Sequence, residues 1–169
     1  MVNKIPTWQR ILQRILATRP ITALIAPVLQ HADALLLRLT GGRLDFTRAS
    51  GLPVIELITV GARSGKTHTL PLAGYPDGDR IVLVASNFGR AWHPAWYHNL
   101  IANPQCVVRK DGQERRYLAR ESDGEERERY WRLAVLYYSG YEAYQQWAAN
   151  RKIPVMVLEP KINSNRVVE

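Results

Sequence analysis

The stretch Thr67-His68-Thr69-Leu70-Pro71-Leu72-Ala73-Gly74-Tyr75-Pro76-Asp77-Gly78-Asp79-Arg80-Ile81-Val82-Leu83-Val84-Ala85 decides the kind of fold this chain can adopt. A β-rich run from Thr67 to Tyr75 meets Pro76-Asp77-Gly78-Asp79, a strong turn signal, and a second run follows from Arg80 to Ala85. Two such runs about a tight turn are expected to form a hairpin. Upstream, Val54 to Val60 is a further β-rich run ending at Gly61. Downstream, Gln105 to Lys110 and Gln113 to Ala119 bracket Asp111-Gly112, the sequence of a two-residue type I′ turn. Ile153 to Leu158 reads as a closing strand before Pro160. Helices are expected between these strands. One runs from His93 to Ala102 and stops at Asn103-Pro104; another, with Ser122 and Glu125 as a capping box, runs to about Tyr138; a third covers Tyr141 to Ala149. About six hairpin-connected, mostly antiparallel strands imply an α+β fold, a small barrel with helices at its mouth, and the strand–helix alternation of a Rossmann domain is absent.

The 169 residues suffice for one domain with a real core. A helical extension, residues 1–48, precedes the barrel domain, residues 49–169. In the extension Trp8, Ile11, Leu12, Ile15 and Leu16 fall on one helical face, and Gln9, Arg10, Gln13 and Arg14 cover the other. Pro20 stops that helix, and Ala32 to Thr40 offers a second, Leu-rich one ended by Gly41-Gly42. Two readings of the first helix stay open: it packs its stripe on the domain behind it, or residues 4–19 lie on a membrane surface. The formal charge is +8 and uneven. Seven basic residues face Asp33 and Asp45 in the first fifty positions, whereas sixteen face thirteen acidic ones in the rest. No apolar run reaches the roughly 18 residues a spanning helix needs, and Arg10, Arg14 and Arg19 interrupt any signal-peptide plan. The expected location is cytoplasmic, with peripheral contact at the inner face of the membrane if the second reading of the helix holds. Cys106, the single cysteine, excludes an internal disulfide framework and is read as a packing residue.

Gly61-Ala62-Arg63-Ser64-Gly65-Lys66-Thr67 imitates a phosphate-binding P-loop but has three residues between its glycines where that motif needs four. It also leads into a proline-bearing strand, not into the helix whose amino end would complete such a site. Nucleotide hydrolysis is therefore not expected. Two glycines, a hydroxyl, a guanidinium and an ammonium within seven residues form either a solvated basic turn or a cradle for an anion. The segment Ala85 to Leu100 ends a strand, crosses a glycine-containing loop and enters a helix. Its Ser86-Asn87 pair and flanking aromatics suit a planar heteroaromatic ligand. His93 and His98 stand five apart with no cysteine or close carboxylate to complete a metal shell, so no metal site is expected. Tyr138, Tyr141 and Tyr144 recur at i, i+3 and i+6, either as an aromatic core stripe or as the lining of a half-wet pocket.

From about Asp33 to Pro160 these segments together resemble the deazaflavin-dependent nitroreductase family, the branch of the flavin/deazaflavin oxidoreductases that uses coenzyme F420. Leu39-Thr40-Gly41-Gly42-Arg43, the Gly61–Lys66 turn with Pro71-Leu72 after it, and Ala85-Ser86-Asn87 all contribute. The most specific element is His93-Pro94-Ala95-Trp96-Tyr97-His98-Asn99-Leu100-Ile101-Ala102-Asn103-Pro104. The resemblance implies a split β-barrel. It implies that Arg63, Ser64, Gly65 and Lys66 hold the cofactor's phosphate and acidic tail, that Pro71 and Leu72 line its groove, and that Ala85, Ser86, Asn87, His93 and Trp96 flank its ring. His68 stands where the family usually has Arg, implying weaker or pH-dependent tail binding. Tyr138, Tyr141 and Tyr144 would form the substrate wall, with Tyr138 and Tyr141 as the catalytic pair that orients the acceptor.

The implied function is an F420H2-dependent oxidoreductase acting on a small hydrophobic acceptor: a quinone, an enone or a nitroaromatic. An FMN enzyme on the same barrel and a non-catalytic F420 or lipid carrier are the alternatives. Nucleic-acid binding is not expected, because the charge gathers in an amphipathic segment and a turn instead of a reading motif. Oligomeric state is left open.

Overall fold

The computed structural model describes residues 51–148 and 151–161. The two helices expected before residue 48, the domain boundary there and the Leu39–Arg43 motif lie outside them. The described chain runs β1 (Val54–Val60), β2 (Thr67–Ala73), β3 (Tyr75–Asp77), β4 (Arg80–Val84), a 3-10 turn (Asn87–Gly89), α1 (Ala95–Ala102), β5 (Gln105–Lys110), β6 (Gln113–Glu121), α2 (Gly124–Tyr137), α3 (Gly140–Trp147) and β7 (Val155–Pro160). Seven strands form one sheet in the order β2-β1-β5-β6-β7-β4-β3, with each neighbouring pair antiparallel.

The deciding stretch folds differently from its first reading. Thr67–Tyr75 is not one strand paired with Arg80–Ala85. It breaks at Gly74: β2 pairs with β1 (Leu57↔Leu70, Ile58↔Thr69), and Tyr75 begins β3, which pairs with β4 (Tyr75↔Val82, Asp77↔Arg80). Pro76 belongs to β3, and the reversal falls on Gly78, whose φ is +61°. The two strands that Gly74 joins are the two edges of the sheet. One residue can connect opposite edges only if the sheet curls until they meet, so the seven strands form a curled half-barrel, the split-barrel architecture expected. The backbone at this corner is tied by the Gly74 amide donating to Pro53 O at 2.8 Å.

Curling divides the apolar residues between two cores. Along β4 and β7 the side chains alternate: Leu83, Ala85, Met156 and Leu158 point inward with Leu57, Val108, Tyr117 and the α1 residues Trp96 and Leu100. Val82, Val84, Val155 and Val157 point outward, where α2 and α3 cover them with Tyr130, Ala134, Tyr138, Tyr141 and Tyr144. Strands buried on both faces lose the polar alternation of a solvated sheet, and burying each Val, Leu or Ile contributes about 1.5–3 kcal/mol. Cys106 sits in the inner core, where burial pushes its thiol up to about 12, as a packing residue should.

Three boundaries shift. Ser122 and Glu125 do not form a capping box: Asp123 occupies the N-cap of α2 without a side-chain bond, and Ser122 Oγ donates to Val155 O at 2.9 Å. α1 starts at Ala95 because Pro94, extended at ψ 154°, is its N-cap. Pro160 ends β7 instead of following it. The Asp111-Gly112 hairpin is as expected, with φ of +51° and +79° at its two turn residues.

A Cβ at Gly74 would stand 3.0 Å from both Ile55 and Ile81 side-chain atoms. Gly74→Val is therefore expected to lower stability by about 1–3 kcal/mol through overpacking of the corner, read as a fall in urea midpoint with little change in slope.

Candidate active site

The glycine turn is shaped from within and pinned from one side. Gly61 N–H donates to Lys66 O at 2.8 Å and Gly65 N–H to Gly61 O at 2.9 Å, with Gly65 at φ +65°. Ser64 Oγ accepts from Lys66 N–H at 3.2 Å and lies 3.3 Å from His68 Nε2. A Cβ on Gly61 would fall 2.4 Å from Ser64 Oγ and 2.8 Å from His68 Nε2, so glycine is what lets these three residues meet. Asn99 of α1 supplies the outside support: its Oδ1 accepts from Ala62 N–H at 3.0 Å and its Nδ2 donates to the buried Thr59 Oγ1 at 3.2 Å. Asn103 Nδ2 adds a bond to Val60 O at 3.4 Å. Arg63 and Lys66 remain exposed, with no carboxylate partner among the described residues, and the Arg63 and Ser64 amides are likewise unspent there. Among the described residues these are the features of an anion cradle.

The second segment is a loop held under conformational tension. Asn87, Phe88 and Gly89 carry φ of +47°, +55° and +73° in succession, and for residues other than glycine this costs about 1–3 kcal/mol each. Ser86 is in the right-handed helical region, φ −67° and ψ −37°. A right-handed residue followed by one of positive φ turns successive amides to a common side, forming a nest. The Ser86, Asn87 and Phe88 amides have no intramolecular acceptor among the described residues. Asn87 Nδ2 donates to Trp92 O at 2.9 Å. Gly89 packs on α3 so closely that a Cβ would meet Tyr144 O at 2.9 Å, and Phe88 lies edge-on to Tyr144 with centroids 6.1 Å apart.

Behind the loop stands Arg151, a residue to which the sequence assigned no role. Its guanidinium contacts Ala85 O (3.2 Å), Ser86 O (2.8 Å), Arg90 O (3.1 Å from Nε, 2.9 Å from Nη2) and His93 Nδ1 (2.9 Å). Four of its five N–H bonds go to backbone carbonyls, an acceptor class that leaves no trace in residue type. His93 also stacks obliquely on Tyr97, centroids 4.6 Å apart. Tyr97 Oη donates to Glu121 at 2.8 Å, and burial with this bond pushes the phenol up to about 12.

Of the other expected site residues, Leu70 and Leu72 pack on the inner core, whereas Pro71 opposes Glu56 on the other face of β2. Because β2 is an edge strand, a groove along that edge would touch both Pro71 and Leu72. Trp96 is buried inside the barrel. The tyrosines form a closed cluster under α2 and α3: Tyr138, Tyr141 and Tyr144 are 8%, 7% and 5% exposed. Their phenols pair, Tyr138 Oη to Tyr144 Oη at 2.9 Å and Tyr141 Oη to Tyr75 Oη at 2.6 Å. Tyr75, fully buried, is a fourth member that the stripe pattern did not show, since it arrives from β3. Burial raises the Tyr138 and Tyr141 phenols above their ordinary value, so both stay protonated across the physiological range.

A curled antiparallel half-barrel of this kind is the split-barrel architecture, here with a cationic turn braced by α1 and an amide nest packed on α3 and Arg151. Residues 32–160 match the model of the F420H(2)-dependent quinone reductase family, and the chain belongs to that family. Its members are oxidoreductases whose cosubstrate is reduced coenzyme F420. A Mycobacterium tuberculosis protein provisionally named an F420H(2)-dependent quinone reductase is 33% identical over 110 residues, spanning 65% of this chain and 92% of its own. A second M. tuberculosis protein named F420H(2)-dependent quinone reductase is 36% identical over 86 residues, 47% of this chain and 58% of its own length. Among solved structures, an F420-H2 dependent reductase (FDR-A) superposes with a TM-score of 0.59 at 40% identity, covering 63% of this chain and 94% of that one. A domain-swapped dimer superposes at 0.60 and 34% identity, covering 82% and 96%. The donor set here fits F420: unpaired cations and amides for an acidic tail, and an amide nest for the polar edge of a ring.

Asn99→Ala removes the acceptor of the Ala62 amide and the donor to Thr59 together. It is expected to cost about 1–3 kcal/mol and to speed hydrogen exchange at Ala62 more than at Leu57 in mid-strand.

Proposed function

We propose that this protein uses reduced F420 to reduce a small hydrophobic acceptor, a quinone first and conjugated enones and nitroaromatics within the same reach. The observation that carries the reading is the pair of donor surfaces on either side of α1: the cationic turn held by Asn99 and, just before the helix, the loop held by Arg151 and α3, whose three amides have no acceptor among the described residues. Reduced F420 would supply a hydride and leave as F420, and a proton from solvent would complete a quinone's reduction to hydroquinone.

The residues of the chain do the rest. Arg63 and Lys66, with the Arg63 and Ser64 amides, grip the phosphate and acidic tail. His68 holds Ser64 in the turn through the 3.3 Å contact between its Nε2 and Ser64 Oγ. The Ser86–Phe88 nest takes a ring oxygen, and Pro71 and Leu72 flank the groove along the edge of β2. Tyr141 is the acceptor-orienting phenol. The Tyr75–Tyr141 pair uses one of its two hydroxyl hydrogens; with Tyr75 as the donor, the Tyr141 hydrogen would be left for a carbonyl or nitro oxygen. Tyr138 and Tyr144 form the adjoining wall, bordered by Phe88. Its high phenolic range makes Tyr141 a steady hydrogen-bond donor, not the ultimate proton source.

Menadione-dependent oxidation of reduced F420 by the full chain tests the reading, alongside a fluorescence titration with F420. Absence of binding at micromolar concentrations sinks it, and binding without turnover on any quinone supports the carrier alternative. Arg63→Ala and Lys66→Ala are each expected to weaken F420 binding about tenfold, the scale of one charged hydrogen bond, with less effect at high salt. Tyr141→Phe is expected to lower kcat with menadione about tenfold while leaving the Kd for F420 unchanged.

Residues 4–19 are assigned to peripheral contact with an anionic membrane, on the strength of their basic amphipathic pattern. Salt-sensitive co-sedimentation of the full chain with anionic vesicles, lost when Arg10, Arg14 and Arg19 become Glu, is the expected outcome.

A further inference from the structure

We propose that Arg151 is a positioning residue: by committing all five of its N–H bonds, it holds the nest loop in its left-handed form and locks His93 as the neutral Nε2–H tautomer. This rests on the reading that loop 85–89 flanks the deazaflavin ring.

A guanidinium has five N–H donors and no acceptor. Here Nε bonds Arg90 O, Nη1 bonds Ala85 O and His93 Nδ1, and Nη2 bonds Ser86 O and Arg90 O, so every hydrogen has a partner. The three carbonyls gathered in this way belong to residues on both sides of the positive-φ stretch Asn87–Gly89. Turning them toward one cation fixes both ends of the loop, and the Ser86, Asn87 and Phe88 amides have no acceptor among the described residues. The strain of two non-glycine residues at positive φ is thereby offset by a charged group that bonds only the backbone around them.

The fifth bond fixes a proton. Arg151 can only donate, so His93 Nδ1 must accept, and the neutral ring carries its hydrogen on Nε2. Around His93 stand Arg151 and His98, which disfavour its cation, and Glu121, which favours it; Tyr97 stacks on it and spends its hydroxyl on Glu121. Burial and Arg151 outweigh Glu121, and the net direction is downward from the ordinary imidazole value. His93 is thus a fixed neutral donor at the entrance to α1, with no partner for Nε2 among the described residues.

Nitrogen-15 NMR of the imidazoles in the full-length protein without cofactor tests this directly. The expected result is a His93 Nε2–H tautomer that titrates below the ordinary value of about 6.5. In Arg151→Met the ring should become a tautomer mixture and titrate higher, with hydrogen exchange at Asn87 and Phe88 accelerated. The Kd for F420 should rise about tenfold or more. Arg151→Lys, with three N–H bonds for four acceptor atoms, should recover part of the affinity but not the single tautomer. A wild-type His93 protonated on Nδ1, or an Arg151→Met protein with unchanged loop exchange and unchanged F420 affinity, overturns the proposal. Failure of the wild type to bind F420 instead removes the function proposed above, and the tautomer and exchange readouts still decide the role of Arg151.

Discussion

A single residue, Gly74, joins the two edge strands of a seven-stranded sheet, and the architecture follows from that constraint. A flat or gently twisted sheet of this order would hold β2 and β3 six strand spacings apart, roughly 28 Å at the usual separation. One residue spans under 4 Å. The sheet has to curl, and once curled it has an inside and an outside that both need covering. The inside is filled by alternate residues of the strands and by Trp96 and Leu100 of α1; the outside takes α2 and α3. Because α1 plugs the interior, the turn that leans on its Asn99 is placed by a packed element, while the loop before α1 is placed by α3 and Arg151.

The site proposed on this frame relies on the main chain more than on side chains. Amides in the Gly61–Lys66 turn and in the Ser86–Phe88 loop that have no acceptor among the described residues are donors whose positions depend on backbone dihedral angles. Such donors do not titrate and do not swing, which suits a protein that orients a cofactor while the cofactor carries the chemistry. Their cost is conformational, and side chains outside the binding surface bear it: Asn99 for the turn, Arg151 for the loop. The tyrosine cluster is likewise held by hydrogen bonds between buried phenols.

How much of this was legible depended on the range over which each signal acts. The β5–β6 hairpin was readable because Asp111-Gly112 states its backbone requirement in two adjacent residues. The glycine turn and the motif from His93 to Pro104 were visible as patterns, and a strand after the turn followed from Pro71. The break at Gly74 was not visible, because β-rich sequence continues unchanged across it and only tertiary pairing assigns its halves to opposite edges. The capping box failed for a similar reason: Ser122 has the right spacing, yet its hydroxyl is claimed by Val155, thirty-three positions away. Arg151 was silent because its partners are carbonyls, which every residue type possesses. The tyrosine stripe left core and pocket undecided; the structure shows burial with paired phenols, and Tyr75 completes the cluster from a distant strand.

The position of β7 has a consequence for how the chain is born. Among the described residues it alone pairs with both β6 and β4, and so it supplies the ladder hydrogen bonds between the half-sheet β2-β1-β5-β6 and the β4-β3 pair that Gly74 ties covalently. During synthesis the hairpins β1–β2, β3–β4 and β5–β6 can each assemble from neighbouring residues soon after they emerge. The edges of β4 and β6 that pair with β7 stay open until residues 155–160 leave the ribosome. A nascent chain arrested before that point presents open strand edges on β4 and β6, the kind of surface that chaperones hold and that aggregates recruit.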